Sequence, residues 1–176
     1  MDIRPARQND TPALQNLYDE AFPDNEGGMV GRLAVSLLSE KTNPTTESLV
    51  MDDAGVVKGH IAFSPVSITG HEDVRAYILS PLAVRSDCQG QGIGSALIDY
   101  GKRLLSKDGA HIILVYGDPA YYGRFGFDAE AASRFIPPYP LGYPFGWQTL
   151  ELNRCEIRGD TVEIECVASL NNAGYW

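Results

Sequence analysis

The sequence has no apolar run near the roughly 20 residues that a membrane-spanning helix needs. Its first residues, Met1-Asp2-Ile3-Arg4-Pro5, lack the charged-then-apolar pattern of an export signal. Cysteine is scarce: Cys88, Cys155 and Cys166 are too few and too scattered for a disulfide framework. Cys155 and Cys166 could lie across one hairpin, but free thiols in a reducing cytoplasm are the expectation. Histidine is as scarce, and His60, His71 and His111 form no metal-ligand spacing with one another or with cysteine, so no metal is expected. His60 and His111 sit in or beside strand-like runs and read as structural. Basic residues are outnumbered, 14 Lys and Arg against 23 Asp and Glu, for a net charge of -9. Such a surface repels a phosphate backbone, so no nucleic-acid partner is expected; it would suit a cationic or amine-bearing substrate, but it reads first as charge that keeps the protein in solution.

What is present is globular. Hydrophobic residues make up 44% and charged residues 21% of 176 residues, enough for one domain over 1–176 with a full core. Ile3 to Ala6 reads as a strand. A helix through Leu14, Leu17, Tyr18, Ala21 and Phe22 is expected to be N-capped by Asp10, with Pro12 in its first turn. Pro23 to Gly28 should break it before a second helix with Val30, Leu33, Ala34, Leu37 and Leu38 on one face. Ser48 to Met51 and Val56 to Ile68 read as a hairpin turning at Asp52 to Gly55, with an edge or bend at Pro65. Tyr77 to Val84 is a third strand, reached through a surface turn holding Glu72 and Asp73, and interrupted by a bulge at Pro81. A helix with Ile93, Leu97, Gly101, Leu104 and Leu105 on one face, stopped by Gly109, leads to a parallel strand, His111 to Tyr116. Pro119 to Phe125 is a short helix ending at Gly126. Phe135 to Trp147 reads as an ordered aromatic loop, and Trp147 to Leu152 and Val162 to Ala168 as closing strands, with a hairpin turn at Arg158-Gly159-Asp160.

Gln89-Gly90-Gln91-Gly92-Ile93-Gly94 carries the chemistry. Placed between a strand and an amphipathic helix, it presents backbone amides with no intrahelical partner at the positive end of the helix dipole, which is a phosphate site. A dinucleotide turn would need glycine at position 95, which is Ser95, and should open a βαβ unit rather than follow hairpins. A phosphate loop of the Gly-Lys-Ser/Thr type is absent.

The same six residues match the signature of the GNAT superfamily of acyl-CoA-dependent N-acetyltransferases: Arg or Gln, two residues, Gly, one residue, then Gly or Ala. Tyr122 ahead of Gly126-Phe127 and the opening Ile3-Arg4-Pro5-Ala6 also resemble that family. Ala62-Phe63-Ser64-Pro65-Val66, Pro81-Leu82-Ala83-Val84 and Gly117-Asp118-Pro119 resemble its bacterial YhbS-like branch. The resemblance is close over residues 3 to 128. It implies an α/β fold of GNAT type, with a mostly antiparallel mixed sheet splayed at a cofactor slot and helices on both faces. It implies acetyl transfer from acetyl-CoA to a primary amine of a small molecule or peptide, by direct attack in a ternary complex. Gln89, Gly90, Gln91, Gly92, Ile93, Gly94 and Ser95 would hold the pyrophosphate. The backbone of Leu82, Ala83 and Val84 would pair with the pantetheine arm as an added strand, and Tyr122 would be the general acid.

The sequence departs from that pattern in two places. Many members carry Asn where Gly117-Asp118-Pro119 stands, and many carry a basic Glu on the bulged strand where Leu79-Ser80-Pro81 has none. Proton removal from the amine is therefore assigned to water relayed to solvent. Cys88 borders the phosphate turn, where the dipole could lower its pKa. A monomer or homodimer that binds no membrane is expected. A non-catalytic acyl-CoA-binding regulatory module is the alternative.

Overall fold

The computed structural model describes residues 1–22 and 26–176. It forms two compact units, residues 1–63 with 80–101 and residues 64–79 with 102–176. The strands are β1 (Asp2–Pro5), β2 (Glu47–Asp53), β3 (Val56–Ile68), β4 (Ala76–Val84), β5 (Ile112–Tyr116), β6 (Phe135–Ile136), β7 (Trp147–Glu151) and β8 (Val162–Cys166). The helices are α1 (Thr11–Ala21), α2 (Glu26–Ser39), α3 (Ile93–Lys107), α4 (Pro119–Tyr122) and α5 (Ala129–Ala132). Strand order is β1-β2-β3-β4-β5-β7, and β8 pairs with both β3 and β6. The expected mixed, mostly antiparallel sheet is therefore present: β4–β5 and β6–β8 are parallel, and β1–β2, β2–β3, β3–β8 and β5–β7 are antiparallel.

In the first unit, β2 and β3 turn through Ala54 and Gly55, both at positive φ (52° and 88°), the geometry of a two-residue hairpin. Asp52 Oδ1 accepts the Gly55 amide at 2.7 Å. Side chains alternate across the strands, so successive residues of β3 meet different helices. His60 meets α1 through Tyr18, whereas Gly59 and Phe63 meet α3. Helices thus cover both faces of this unit. A Cβ at Gly59 would lie 2.8 Å from Ile93 Cγ2, and one at Gly101 would collide with the Phe63 ring. These two glycines let α3 lie directly on β3. On the helix, Ile98 is fully buried and Leu104 only half-buried, so the stripe turns further toward Ile98 than the expected face.

Two local expectations change here. Asp10 stands at the N-cap position of α1 but makes no cap. Its carboxylate takes two bonds from Arg4, at 2.8 and 2.9 Å, and one from the Arg7 amide at 2.7 Å. A guanidinium fork is the stronger partner for a carboxylate than a helix amide. Arg4 also reaches Asp52 Oδ2 at 2.8 Å, tying β1 to the hairpin turn and to the start of α1. Glu26 to Gly28, expected to break the chain, lie inside α2; Pro23 to Asn25 lie outside the described residues. Gly27 and Gly31 are buried against Tyr18 O and the Gln15 side chain, so they serve helix packing rather than helix breaking.

In the second unit, α3 ends in a Schellman motif, with Gly109 at φ 81° and bonds from Ala110 N to Leu105 O and from Gly109 N to Ser106 O. The β4–β5 ladder runs from Ala76↔Ile112 to Leu79↔Val115 and ends there, ahead of Pro81. Pro65 falls where the β3 register with β2 has ended, at Phe63, and that with β8 has not begun, at Val66. The expected hairpin around Arg158-Gly159-Asp160 is not formed. β7 pairs with β5 and β8 with β3, so the turn joins strands that are not neighbours. Cys155 and Cys166 are free thiols, and burial pushes Cys166 up to about 12. The aromatic loop is partly regular, holding β6 and a 3-10 turn at Pro144–Gly146.

His60 has the structural role expected of it. It is fully buried, with Tyr18 Oη 2.7 Å from Nδ1 and Ser48 Oγ 2.8 Å from Nε2. Burial lowers its pKa to about 3. The unfolded chain, with an ordinary histidine near 6.5, binds the extra proton between those values, so stability is lost as pH falls through that window. Unfolding free energy from urea titration should drop by about 1.5 kcal/mol between pH 6.5 and 5, and His60→Gln should remove this dependence.

Candidate active site

The first unit carries the glycine turn. β4 ends at Val84, a 3-10 turn spans Ser86–Cys88, and α3 begins at Ile93. Gly90 (φ 73°) and Gly92 (φ 81°) adopt left-handed backbone, and nothing lies within 4 Å of where their Cβ atoms would be. Gly94 is different: it lies inside the first turn of α3 and is buried. Gln89 and Gln91 brace the turn from outside, through Nε2 bonds to Val84 O and Asp87 O, both 3.2 Å. The first amide to re-enter the backbone network is that of Ala96, donating to Gly92 O at 2.9 Å. Among the described residues, the amides of Gln89, Gly90, Gln91, Gly92, Ile93, Gly94 and Ser95 donate to no other backbone group. A run of undonated amides at a helix N-terminus is what an oligophosphate requires.

Leu82, Ala83 and Val84 lie past the end of the β5 ladder, and no β5 residue pairs with them. Ala83 is buried, while Leu82 and Val84 are half-buried. Cys88 departs from expectation. Its Sγ lies 3.2 Å from Asp87 Oδ1, and that hydrogen bond, followed by burial, raises its pKa. Asp87 itself is held at about 2 by a two-bond pair with Arg85, both contacts 3.0 Å. The neighbouring carboxylate and burial thus act against the lowering anticipated beside the turn.

The second unit carries Tyr122. β5 ends at Tyr116, and Asp118 caps α4 by accepting the Ala120 amide at 2.8 Å, with Pro119 in the first turn. Gly126, at φ 92°, ends the following 3-10 turn. The Tyr122 ring lies against Gly117, where a Cβ would collide with it. It stands edge-on to Tyr121 (centroids 5.1 Å) and Phe127 (5.8 Å). Its hydroxyl makes no hydrogen bond among the described residues, and burial raises its pKa well above the ordinary tyrosine value. Tyr121 packs instead against Arg124, whose guanidinium lies 4.7 Å from the ring centre, and against Phe125.

Two supports of this region were not singled out in the sequence. Gln148 on β7 is 1% exposed and donates to Gly117 O (3.2 Å) and Gly146 O (3.3 Å). Tyr116 Oη accepts the Tyr143 amide at 2.8 Å, and Gly117 N donates to Gly146 O at 2.9 Å. The only signal for Gln148 is an amide side chain at an inward strand position, and a buried amide must find partners. Glu72 and Asp73 are exposed turn residues.

Residues 44–129 match the family model described as an acetyltransferase (GNAT) domain. The chain is 34% identical over 122 residues to the uncharacterized N-acetyltransferase YhbS of Escherichia coli (strain K12), covering 69% of this chain and 70% of that protein. The crystal structure of YhbS from Escherichia coli in complex with CoA superposes with a TM-score of 0.82 at 30% identity, over 97% of this chain and 92% of that one. A GNAT family acetyltransferase from Brucella melitensis, in complex with acetyl-CoA, gives 0.73 at 32% identity over 96% of each chain. The glycine turn of the sequence, the mixed sheet and these likenesses agree, and the chain belongs to the GNAT family of N-acetyltransferases.

Proposed function

We propose that this protein transfers an acetyl group from acetyl-CoA to a primary amine of a small molecule or peptide, by direct attack within a ternary complex and with residues 1–176 acting as one domain. The observation that carries the reading is the run of undonated amides from Gln89 to Ser95 at the start of α3. Those amides suit the pyrophosphate of coenzyme A, and the edge of Leu82, Ala83 and Val84 left without a β5 partner suits its amide-rich arm. That one relative was solved with CoA and another with acetyl-CoA supports the donor. A silent regulatory module is less favoured, because the relatives are named as acetyltransferases.

In the reaction the neutral amine adds to the thioester carbonyl carbon, forming the C–N bond. Collapse of the tetrahedral adduct breaks the C–S bond, and the leaving sulfur takes a proton from the Tyr122 hydroxyl. The proton lost by the amine passes through water to solvent, and the tyrosinate is reprotonated from the same pool. One feature of Tyr122 suits it to this role: its hydroxyl makes no hydrogen bond among the described residues, so it is free to donate to the leaving sulfur.

Three outcomes test the reading. Acetyl-CoA should raise the melting temperature of the protein by mass action. Gly92→Asp should abolish that rise, because it forces an anionic side chain onto left-handed backbone beside the free amides. Unchanged acetyl-CoA affinity in a folded Gly92→Asp variant would sink the phosphate-turn assignment. With an acceptor found from polyamines, amino acids, aminoglycosides and peptides, Tyr122→Phe should lower kcat by about 10²–10⁴-fold at unchanged acetyl-CoA affinity. Tyr121→Phe should do far less, and near-full kcat in Tyr122→Phe would reduce Tyr122 to a packing residue. Finally, Cys88→Ala should keep most activity, and mass spectrometry after incubation with acetyl-CoA alone should find no acetylated protein; an acetyl adduct at Cys88 would replace direct attack with a two-step route.

A further inference from the structure

Tyr122 is carried by a very short helical segment: four residues of α4, Pro119–Tyr122, and three of the 3-10 turn that follows, Gly123–Phe125. Isolated helices below roughly 12–15 residues are marginal in water, so a segment this short takes its direction from whatever holds its ends. The N-terminal end is held from within. Asp118 Oδ1 accepts the Ala120 amide at 2.8 Å, and Asp118 O accepts the Tyr122 amide at 3.0 Å. At the C-terminal end Gly126 turns the chain away at φ 92°, and the last carbonyls have no helical partner ahead of them.

Lys102 meets that end. From a part-buried position on α3, its Nζ donates to Phe125 O at 2.7 Å. Phe125 stands three residues after Tyr122, one 3-10 turn further on. A cation is favoured at the C-terminal end of a helical turn, and an ammonium makes a stronger hydrogen bond than a neutral donor. Lys107, not Lys102, is the basic residue in the last turn of α3. The charge of Lys102 is thus directed at the segment that carries Tyr122 rather than at the end of its own helix.

The Tyr122 ring lies against Gly117 and stands edge-on to Phe127, 5.8 Å away. One of these neighbours precedes the segment and the other follows it. The ring keeps its place only while both ends keep theirs. We infer that Lys102 is a positioning residue for acetyl transfer: its ammonium fixes the C-terminal end of the turn that carries Tyr122, and with it the direction of the Tyr122 hydroxyl. The inference rests on the general-acid reading of Tyr122 given above.

Lys102→Met keeps the unbranched stem and a good helix former while removing the ammonium. The probe is butylamine at fixed concentration with saturating acetyl-CoA, and the readout is the rate of CoA release above the uncatalysed reaction. A small, weakly held amine keeps the chemical step, rather than product release, rate-limiting. Lys102→Met should lower that rate by about 10–100-fold, the scale of a displaced rather than a missing group, with acetyl-CoA affinity by calorimetry unchanged. Lys107→Met, exposed on the same helix, should change the rate by less than about twofold. In the Tyr122→Phe background Lys102→Met should cost nothing further, because a residue acting through that hydroxyl has nothing left to position. A general loss of packing would instead multiply the two effects. Near-full rate in Lys102→Met, an equal loss in Lys107→Met, or multiplied losses in the double variant would each overturn the assignment. If Tyr122→Phe alone keeps its full rate, the general-acid reading fails and this inference with it. If Tyr122→Phe is impaired and Lys102→Met is not, only the role of Lys102 is lost.

Discussion

The close approach of α3 to β3 is the constraint on which the glycine turn depends. Free amides bind an anion well only when their direction is fixed beforehand, because ordering them on binding would cost backbone entropy. Here the direction is set several residues away from the amides. Gly59 and Gly101 remove the two side chains that would hold the helix off the strand, and Ile93, Leu97 and Ile98 then bury fully. The turn itself needs only Gly90 and Gly92 in left-handed backbone, with glutamine side chains bracing it from outside. A rigid helix start and a permissive turn are separate requirements, met by separate glycines.

Most of the fold was legible because its signals are local and repeated. The Ala54-Gly55 turn, the alternating strand pattern of β2 and β3, and the glycines that precede and follow α3 each point to one backbone geometry. What misled was competition between partners. Asp10 has the right place and chemistry for a cap, but whether it caps α1 or binds Arg4 depends on a residue six positions away in sequence, on a strand. Glu26-Gly27-Gly28 looks like a breaker because glycine is usually read through its backbone freedom; here Gly27 is used for its lack of volume against Tyr18. The hairpin expected around Arg158-Gly159-Asp160 failed for the same kind of reason. Turn residues mark where a chain reverses, while strand partners are chosen by the whole sheet.

The candidate site was legible where backbone chemistry dominates and obscure where side chains support one another. Gln89 to Ser95 could be placed from spacing alone. Cys88 could not be judged, because its ionisation is set by Asp87, which is in turn held by Arg85. Tyr122 and Tyr121 are adjacent and chemically identical in sequence, and only the structure separates a ring packed against Gly117 and Phe127 from a ring stacked under Arg124. Gln148 left no pattern to read, since one buried amide on a strand is silent until its partners are seen.

Gln148 has a consequence for how the loop can be exchanged. One side chain grips two carbonyls, that of Gly117 at the end of β5 and that of Gly146 in the aromatic loop, and Gly117 and Gly146 are also bonded directly. The loop and the ground beneath α4 are therefore mechanically one piece. Grafting a different loop between residues 137 and 146 would also re-aim the segment that carries Tyr122. An exchange that keeps Tyr122 in place would need linked replacements on both sides of the Gln148 amide.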